Sequence, residues 1–271
     1  GGAIRTLNQE IAFIGDLIRQ GESMEARKQF SLFLKGKFDF KKHRQELWRV
    51  AALCRRLRLF DDGIRLLGPI MHRQRPPGPS VAERAQYAAM LIGVGAISEG
   101  QRWLGSLDGD DEPNKNLFLA FAHMGHWDYA RAVGPLLDYI RHAKPSVYDK
   151  LVARSNLVHV LVSAKQFDDA NTHIESMLLD TQKGGHWLLH GNVLESAVVR
   201  ATELGEIERA RGFLEIAAKL HERSDPVTRL RLRLRHLVLN LHANANDVDS
   251  LRDLEVLGKQ AKEIRSWEMW R

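Results

Sequence analysis

The sequence predicts an all-α fold made of about seven helix hairpins, and two observations carry this prediction. First, a hexapeptide pattern recurs seven times at intervals of 30 to 41 residues: a turn residue, any residue, an apolar residue, any two residues, a small residue. Second, the segments on both sides of the pattern are apolar at helical spacing. The seven copies are Gly21-Ser23-Ala26, Arg58-Phe60-Gly63, Gly95-Ile97-Gly100, Gly125-Trp127-Ala130, Lys165-Phe167-Ala170, Gly205-Ile207-Ala210 and Asn246-Val248-Leu251.

Each part of the repeated unit has a physical role in a helix hairpin. In the second unit the apolar residues before the hexapeptide are Leu47, Val50, Ala51, Cys54 and Leu57, and those after it are Ile64, Leu67 and Ile70. The turn residue is often Gly because the first helix must end in a left-handed conformation that costs Gly little. The small residue lets the second helix approach the first, with the apolar residue wedged between them.

Breaks between the units contain Pro, Gly and acidic residues, which are typical of loops. They are 75–80, 108–113, 144–146, 183–185 and 224–226. Ser80, Ser146 and Asp225 are predicted helix N-caps. Residues 228–235 alternate Arg and Leu with the period of a strand. We nevertheless predict a helix there, because the leucines also fit one helical face and no other segment is a candidate partner strand.

Composition is consistent with one extended array over residues 1–271, with its loosest linkers near 73–80 and 106–115. The formal charge of +6 is too modest to indicate a nucleic-acid partner by itself. The single cysteine, Cys54, cannot form an intramolecular disulfide, and no apolar run approaches the roughly 18 residues of a membrane span. We therefore expect a cytoplasmic protein with no membrane partner. The chain begins Gly-Gly and ends within an apolar helical pattern, so we also expect it to be a fragment of a longer protein.

The hexapeptide, together with a small or aliphatic residue twelve positions before its end, resembles the tetratricopeptide repeat. The matching pairs are Ala51 with Gly63, Ala88 with Gly100, Val158 with Ala170 and Val198 with Ala210. Departures are Phe118 before Ala130, and both Leu239 and Leu251 in the last unit. The longer spacings of the second half are similar to the tetratricopeptide-like arrays of MalT-type and Rap-type bacterial regulators.

The resemblance implies a right-handed α-α superhelix whose first helices line a concave groove. The side chains it places there are Asn156, His159, Asn192, Glu195, Arg233, His236 and Asn240. Asn suits a peptide ligand because its amide both donates to and accepts from a peptide backbone. The competing interpretation is that these are solvated polar residues of helix faces. Trp48 and Ala52 stand where the family's carboxylate clamp carries Lys and Asn, so no chaperone-tail clamp is predicted.

The chain carries no recognised catalytic or cofactor motif, so we predict no enzyme, no cofactor and no metal. The pairs His123 with His126 and His186 with His190 have metal-like spacing, but Trp187 stands where a zincin needs its catalytic Glu. The acidic segment 108–112 lacks the ligand spacing of a calcium loop. There is neither a phosphate-binding Gly-rich loop nor a Gly-x-Ser-x-Gly elbow.

The predicted function is a non-catalytic scaffold that holds a peptide or protein segment in its groove. One alternative is a ligand- or peptide-sensing module of a larger bacterial regulator. Another is a solenoid that binds the nucleic-acid backbone through Arg55, Arg56 and Arg58 and through the arginines of residues 229–235, although arginines two apart point to different sides of a helix. Trp267 and Trp270 are predicted either to cap the last hairpin or to form an interface to a following domain or a second subunit.

Overall fold

The described part of the chain is all-α. The computed structural model describes residues 6–36, 38–39, 41–72, 77–222, 224 and 226–270, with side chains as far as residue 262. Within these residues there are fourteen α-helices, a short 3-10 helix over Arg44–Glu46, and no strand. The α-helices are α1 (Leu7–Arg19), α2 (Ser23–Gly36), α3 (Leu47–Arg56), α4 (Phe60–Met71), α5 (Val81–Gly93), α6 (Ile97–Gly105), α7 (Asn114–Gly125), α8 (Tyr129–Arg141), α9 (Val147–Ser163), α10 (Phe167–Lys183), α11 (Trp187–Glu203), α12 (Ile207–Leu220), α13 (Pro226–Ala243) and α14 (Val248–Trp270).

The chain divides into two compact units. Unit 1 comprises Gly1–Arg19 and Glu25–Val160, and unit 2 comprises Gln20–Met24 and Leu161–Arg271. A hydrophobic cluster that includes Phe30, Leu47 and Met90 forms a core of unit 1. A second cluster, which includes Val198 and Leu239, belongs to unit 2.

Helices that are consecutive in the chain pack as neighbours inside each unit. In unit 1, α3 packs on α4, α5 on α6, and α7 on α8; in unit 2, α11 packs on α12 and α13 on α14. The first helix of a hairpin also contacts the first helix of the next hairpin. In this way α5 lies against both α3 and α7, and α11 lies against α13. Side chains on α3, α5 and α7, or on α11 and α13, can therefore share one surface within their unit.

The turn between the paired helices has the predicted left-handed residue in five of the seven copies. The backbone φ is +80° at Gly21, +90° at Gly95 and +73° at Gly205, and it is also positive at Arg58 and Lys165. The small residue that closes each of these five copies is buried: Ala26, Gly63, Gly100, Ala170 and Ala210. A Cβ at Gly100 would lie only 2.8 Å from the carbonyl oxygen of Ala88, so a small residue is needed where the paired helices cross.

The fourth copy was predicted in the wrong register. The residue with positive φ is Trp127 (φ +61°), not Gly125, which is the last residue of α7. Trp127 is 80% exposed instead of wedged between helices, and Ala130 is exposed while Ala132 is fully buried. In the corrected register Ala120, also fully buried, stands twelve residues before Ala132, so Phe118 no longer departs from the repeat.

Gly125 has a different reason to be glycine. A Cβ there would lie 2.8 Å from Cδ1 of Ile97, the apolar residue of the preceding turn. Gly93 repeats this relationship, since its Cβ would lie 2.6 Å from the Phe60 ring. Both glycines stand two residues before a residue with positive φ, and both make room for the turn of the unit before. The sequence pattern therefore predicted a turn at Gly125, where glycine is instead needed for packing against Ile97.

The last copy was also predicted in the wrong register. Val248 and Leu251 are 64% and 48% exposed, whereas Ser250 is buried at 4%. Asp247 sets this turn: its carboxylate accepts hydrogen bonds from the backbone N–H of Ser250 at 3.2 Å and from its hydroxyl at 2.7 Å. A capping acid therefore replaces the left-handed turn residue at this position.

The predicted helix over residues 228–235 is confirmed, because these residues lie within α13. Ser80 is confirmed as an N-cap: it forms a capping box with Glu83, whose carboxylate also pairs with Arg44. The Ser146 hydroxyl accepts a hydrogen bond from the backbone N–H of Asp149 at 3.1 Å, as a cap should. Asp225 lies outside the described residues.

The predicted linker over residues 106–115 carries its own hydrogen bonds. The backbone N–H of Asp110 donates to the Asp108 carboxylate at 2.9 Å, and Lys115 Nζ donates to the carbonyl of Leu107 at 2.6 Å. In the other linker, residues 73–76 lie outside the description. None of the helices in the described ranges is long and apolar enough to cross a membrane.

Candidate ligand-binding sites

The seven predicted site residues are divided between the two units. Asn156 and His159 lie on the part of α9 that belongs to unit 1. Asn192 and Glu195 lie on α11, and Arg233, His236 and Asn240 lie on α13, all in unit 2. The two groups are therefore described separately.

In unit 1 both predicted residues make local contacts. The Asn156 amide donates to the carbonyl of Val152 at 3.0 Å, one turn earlier on the same helix. His159 meets the Tyr129 ring edge-on, with 5.9 Å between ring centroids. Tyr129 in turn meets the exposed Trp127 edge-on at 6.3 Å. These three rings form a small aromatic surface beside the turn between α7 and α8.

In unit 2, Glu195 is buried and paired. Its carboxylate oxygens accept hydrogen bonds from Arg231 Nε at 2.7 and 2.8 Å, and Arg235 Nε lies 3.5 Å away. Glu195 is 6% exposed. Because water has little access to its carboxylate, Arg231 and Arg235 of α13 supply the balancing positive charge. This cluster joins α11 to α13 and leaves Glu195 little surface for a ligand.

Asn192 lies one turn before Glu195 and shares its helix face. The residue is half-buried, and within the described part of the chain its side-chain amide makes no hydrogen bond. An amide in this position keeps its donors and its acceptor available. Asn192 is thus the predicted residue whose structure is most compatible with peptide recognition.

The three predicted residues of α13 differ in their contacts. Arg233 and His236 are exposed, and Arg233 lies 3.9 Å from Asp253 of α14. The Asn240 amide donates to the hydroxyl of Ser250 at 3.3 Å and lies 3.4 Å from His236 Nε2. Asn240 therefore connects α13 to α14, which is a packing role.

The arginines of residues 229–235 do not form one basic stripe. Arg231 and Arg235 point to Glu195, whereas Arg229 and Arg233 are exposed. The two sets occupy different sides of α13, as residues two apart on a helix must. Two of these four arginines are consequently directed toward a buried carboxylate, which balances one of the four positive charges.

A cationic and aromatic recess in unit 1 was not predicted as a site. Arg55 extends from α3 over the ring of Phe118, with its Cζ 5.1 Å from the ring centroid, and its Nε donates to Gln86 Oε1 at 3.1 Å. Burial, followed by the charge of Arg56, lowers the pKa of Arg55 to about 10. The residue still keeps partial contact with solvent. Arg55 is therefore mostly enclosed by protein, while part of its side chain reaches solvent.

Two tyrosines and an acid lie close enough to Arg55 or Arg56 to interact with their charges. Tyr139 of α8 is 4% exposed, and burial raises its pKa to about 12. Tyr148 of α9 lies under the guanidinium of Arg19, whose Cζ is 5.7 Å from the ring centroid, and burial raises its pKa as well. Asp149 lies 3.3 Å from Arg56 Nη2. We call Arg55, Arg56, Phe118, Tyr139 and Asp149 the arginine recess.

Helical spacing in the sequence already distinguishes Arg55 from the arginines that follow it. Arg55, Arg56 and Arg58 were treated as one basic cluster, but they occupy different environments. Arg55 follows the buried Ala51 by four residues, so both must lie on the inward face of α3. Arg58 instead occupies the turn after α3 with φ +58°. Helical spacing from a known packing residue would have separated them.

His190, from one of the histidine pairs, and Cys54 both lie in environments in which burial shifts their pKa. His190 Nδ1 lies 2.9 Å from the hydroxyl of Thr181, and burial lowers the pKa of His190. Cys54 is 1% exposed, and burial, with a smaller effect of Asp62, raises its pKa to about 12. Among the described residues, no three His, Cys, Asp or Glu side chains come together as a metal site would require.

Trp267 and Trp270, the predicted interface residues, lie in α14 beyond the last described side chain. Comparison with protein-family models and with curated proteins finds no match to this chain.

Proposed function

We propose that this chain is a tetratricopeptide-like α-solenoid, a right-handed superhelix of about seven hairpins, that acts without catalysis by binding a peptide or protein segment. The observation that carries the proposal is the environment of the Asn192 side chain. Its half-buried amide has no hydrogen-bond partner in the described part of the chain, and it stands on a first helix that packs against the next first helix.

The corrected repeat supports the resemblance on which the proposal rests. With Ala132 in place of Ala130 the fourth unit regains its pair of small buried residues, Ala120 and Ala132. Repeats of this kind present extended surfaces to partners, and their first helices supply the side chains. A free amide beside a rigid ionic cluster is well suited to pair with a peptide backbone, because it can donate and accept together.

The surroundings of Asn192 favour a protein ligand over nucleic acid. A nucleic-acid surface needs several unpaired cations. On α13 the neighbouring Arg231 and Arg235 are committed to Glu195. The sensor-module alternative uses the same surface with a small effector or peptide, and it is distinguished by whether an output domain adjoins the chain in the full-length gene.

The test is a binding screen of the purified chain against a random peptide display library, followed by affinity measurement for selected peptides. We expect Asn192→Ala to weaken selected peptides at least tenfold while the melting temperature stays near that of the parent chain. The matched control is Asn171→Ala, an Asn on the second helix α10 that hydrogen-bonds only to Glu175 of its own helix. Equal affinities for the parent and both variants would refute the Asn192 assignment.

A salt series separates the alternatives. Peptide binding by polar and apolar contacts should persist at high salt, whereas contacts to nucleic-acid phosphates weaken steeply. A parallel measurement with single-stranded and double-stranded oligonucleotides completes the comparison. Oligonucleotide binding that exceeds peptide binding at physiological salt would replace this proposal with the nucleic-acid alternative.

A further inference from the structure

The guanidinium of Arg55 is held in place by the protein, and no carboxylate of the described residues forms a hydrogen bond with it. Its Nε donates to the neutral amide oxygen of Gln86, and its plane is supported by Phe118. Within the described part of the chain, neither Nη1 nor Nη2 makes a hydrogen bond. These two groups are the fork with which arginine binds carboxylates and phosphates.

The acids near Arg55 have other partners. Asp149 lies 3.3 Å from Arg56 Nη2, and its second oxygen accepts the Ser146 hydroxyl at 2.6 Å. Glu112, the other acid acting on Tyr139, accepts hydrogen bonds from the side chain and backbone of Asn114. The recess therefore holds two arginines, with Asp149 as the acid bonded to one of them. An unpaired cation surrounded by protein is costly, and an anion would relieve that cost.

Tyr139 supplies a further donor. Its side chain is almost fully buried, and its hydroxyl makes no hydrogen bond to the described residues. Since burial and the charge of Asp149 raise the pKa of Tyr139 to about 12, the hydroxyl keeps its proton at neutral pH. A neutral phenol donates a hydrogen bond to an anion without adding charge of its own.

We propose that the arginine recess is an oxyanion-binding site, in which Nη1 and Nη2 of Arg55 and the hydroxyl of Tyr139 hold one carboxylate or phosphate group. The positioning comes from four elements of unit 1: α3 carries Arg55 and Arg56, α7 carries Phe118, α8 carries Tyr139 and α9 carries Asp149. Gln86 of α5 orients the guanidinium through Nε, so that Nη1 and Nη2 keep their donors available among the described residues. This site is separate from Asn192 and does not depend on the peptide-binding proposal.

The test uses inorganic phosphate and acetate as probes on the intact chain. Thermal unfolding is measured with each anion at 50 mM against sodium chloride of equal ionic strength. A ligand with a Kd of about 10 mM would raise Tm by about 2 to 4 °C. Because phosphate also stabilises proteins by exclusion from their surface, the diagnostic quantity is the difference in this shift between parent and variants.

We expect the Tm shift in Arg55→Gln to fall to the part that exclusion from the surface causes, and the shift in Arg102→Gln to equal that of the parent chain. Arg102 is an exposed arginine of α6 with no partner in the described residues, so it is a matched control for loss of one positive charge. Tyr139→Phe keeps the ring and should weaken binding several-fold. A shift of the same size in the parent chain and Arg55→Gln, or no shift in the parent, would overturn the proposal.

A second measurement covers the case in which Arg55→Gln fails to fold. The side-chain Nε–H resonance of Arg55 can be followed by NMR in the parent chain during titration with each anion. A saturable change at Arg55, and none at Arg102, supports the site; an unchanged Arg55 resonance contradicts it. A response to phosphate alone identifies a phosphate-bearing ligand, and a response to acetate identifies a carboxylate-bearing one.

Discussion

Arg231 donates its Nε proton to both carboxylate oxygens of Glu195, at 2.7 and 2.8 Å. Arg235 approaches the same carboxylate one helical turn later, at 3.5 Å. This cluster connects α11 to α13 through charge, in the same unit as the hydrophobic cluster that includes Val198 and Leu239. Because the carboxylate is buried and the arginines are only partly exposed, the three side chains depend on one another.

Replacing Glu195 by Ala should lower the free energy of unfolding of unit 2 by about 2 kcal/mol. Removing one partner of a buried ion pair costs about 3 to 5 kcal/mol, and the partial exposure of Arg231 and Arg235 reduces this cost. Urea denaturation followed by circular dichroism measures the change. Glu208→Ala, which removes an exposed acid of α12, is the control and should change stability by less than about 0.5 kcal/mol. Equal effects of the two substitutions would show that the cluster carries no stability.

Trp127→Gly should stabilise unit 1. Trp127 has φ +61° and is 80% exposed, so its side chain contributes little burial while its backbone is in a region that costs L-residues about 1 to 2 kcal/mol. The greater chain entropy of Gly offsets part of this gain, which leaves about 0.5 kcal/mol or more. Thermal unfolding monitored by tyrosine and tryptophan fluorescence and by calorimetry tests the sign. A lower Tm would mean that the Trp127–Tyr129 contact outweighs the backbone strain.

The reverse substitution tests the same physics in unit 2. Gly205 has φ +73°, and a Cβ placed on it would meet no atom within 4 Å. Gly205→Ala should therefore destabilise by about 1 kcal/mol through backbone conformation alone, without a steric clash. Calorimetry on the purified variant gives this value. A neutral result would exclude a left-handed turn at this position.

Gly100→Ala should destabilise unit 1 by about 1 to 3 kcal/mol. A Cβ at Gly100 would lie 2.6 Å from the Ile92 side chain and 2.8 Å from the Ala88 carbonyl oxygen, and the backbone oxygen cannot move without shifting α5. Gly212→Ala is the contrasting variant: Gly212 is an exposed residue inside α12 with nothing within 4 Å of its Cβ position. Since Ala is the better helix former, that change should stabilise by up to about 1 kcal/mol. Denaturation curves that show both variants shifting in one direction would contradict the packing argument.

The Cys54 thiol should not react in the folded protein. It is 1% exposed, and its pKa is raised to about 12, so almost no thiolate is present at pH 8. Ellman's reagent should modify Cys54 at least about a hundredfold faster in urea than in buffer, because unfolding restores both access and the ordinary pKa of a cysteine. Fast modification without denaturant would show that α3 opens readily.

Much of the fold was predictable because it depends on local periodicity. Residue types within one or two helical turns predict several of its features. These are the all-helical content, the helix over residues 228–235, the Ser80 cap and the turns at Gly21, Gly95 and Gly205. The site was less predictable. Sequence spacing could place Asn192 and Glu195 on one helix face. It could not show that Arg231 binds Glu195, whereas the Asn192 side chain makes no hydrogen bond within the described residues.

The sequence by itself determined the helices, because the apolar face of each helix is encoded by residues that are close together in the chain. Only the tertiary structure decided between Gly125 and Trp127 as the turn residue, since the need for glycine at 125 comes from Ile97 in another hairpin. The tertiary structure also showed what surrounds the Arg55 guanidinium, because Phe118 and Gln86 approach it from other helices. Local patterns specify what a segment becomes; which side chain is paired, buried or free depends on partners distant in the chain.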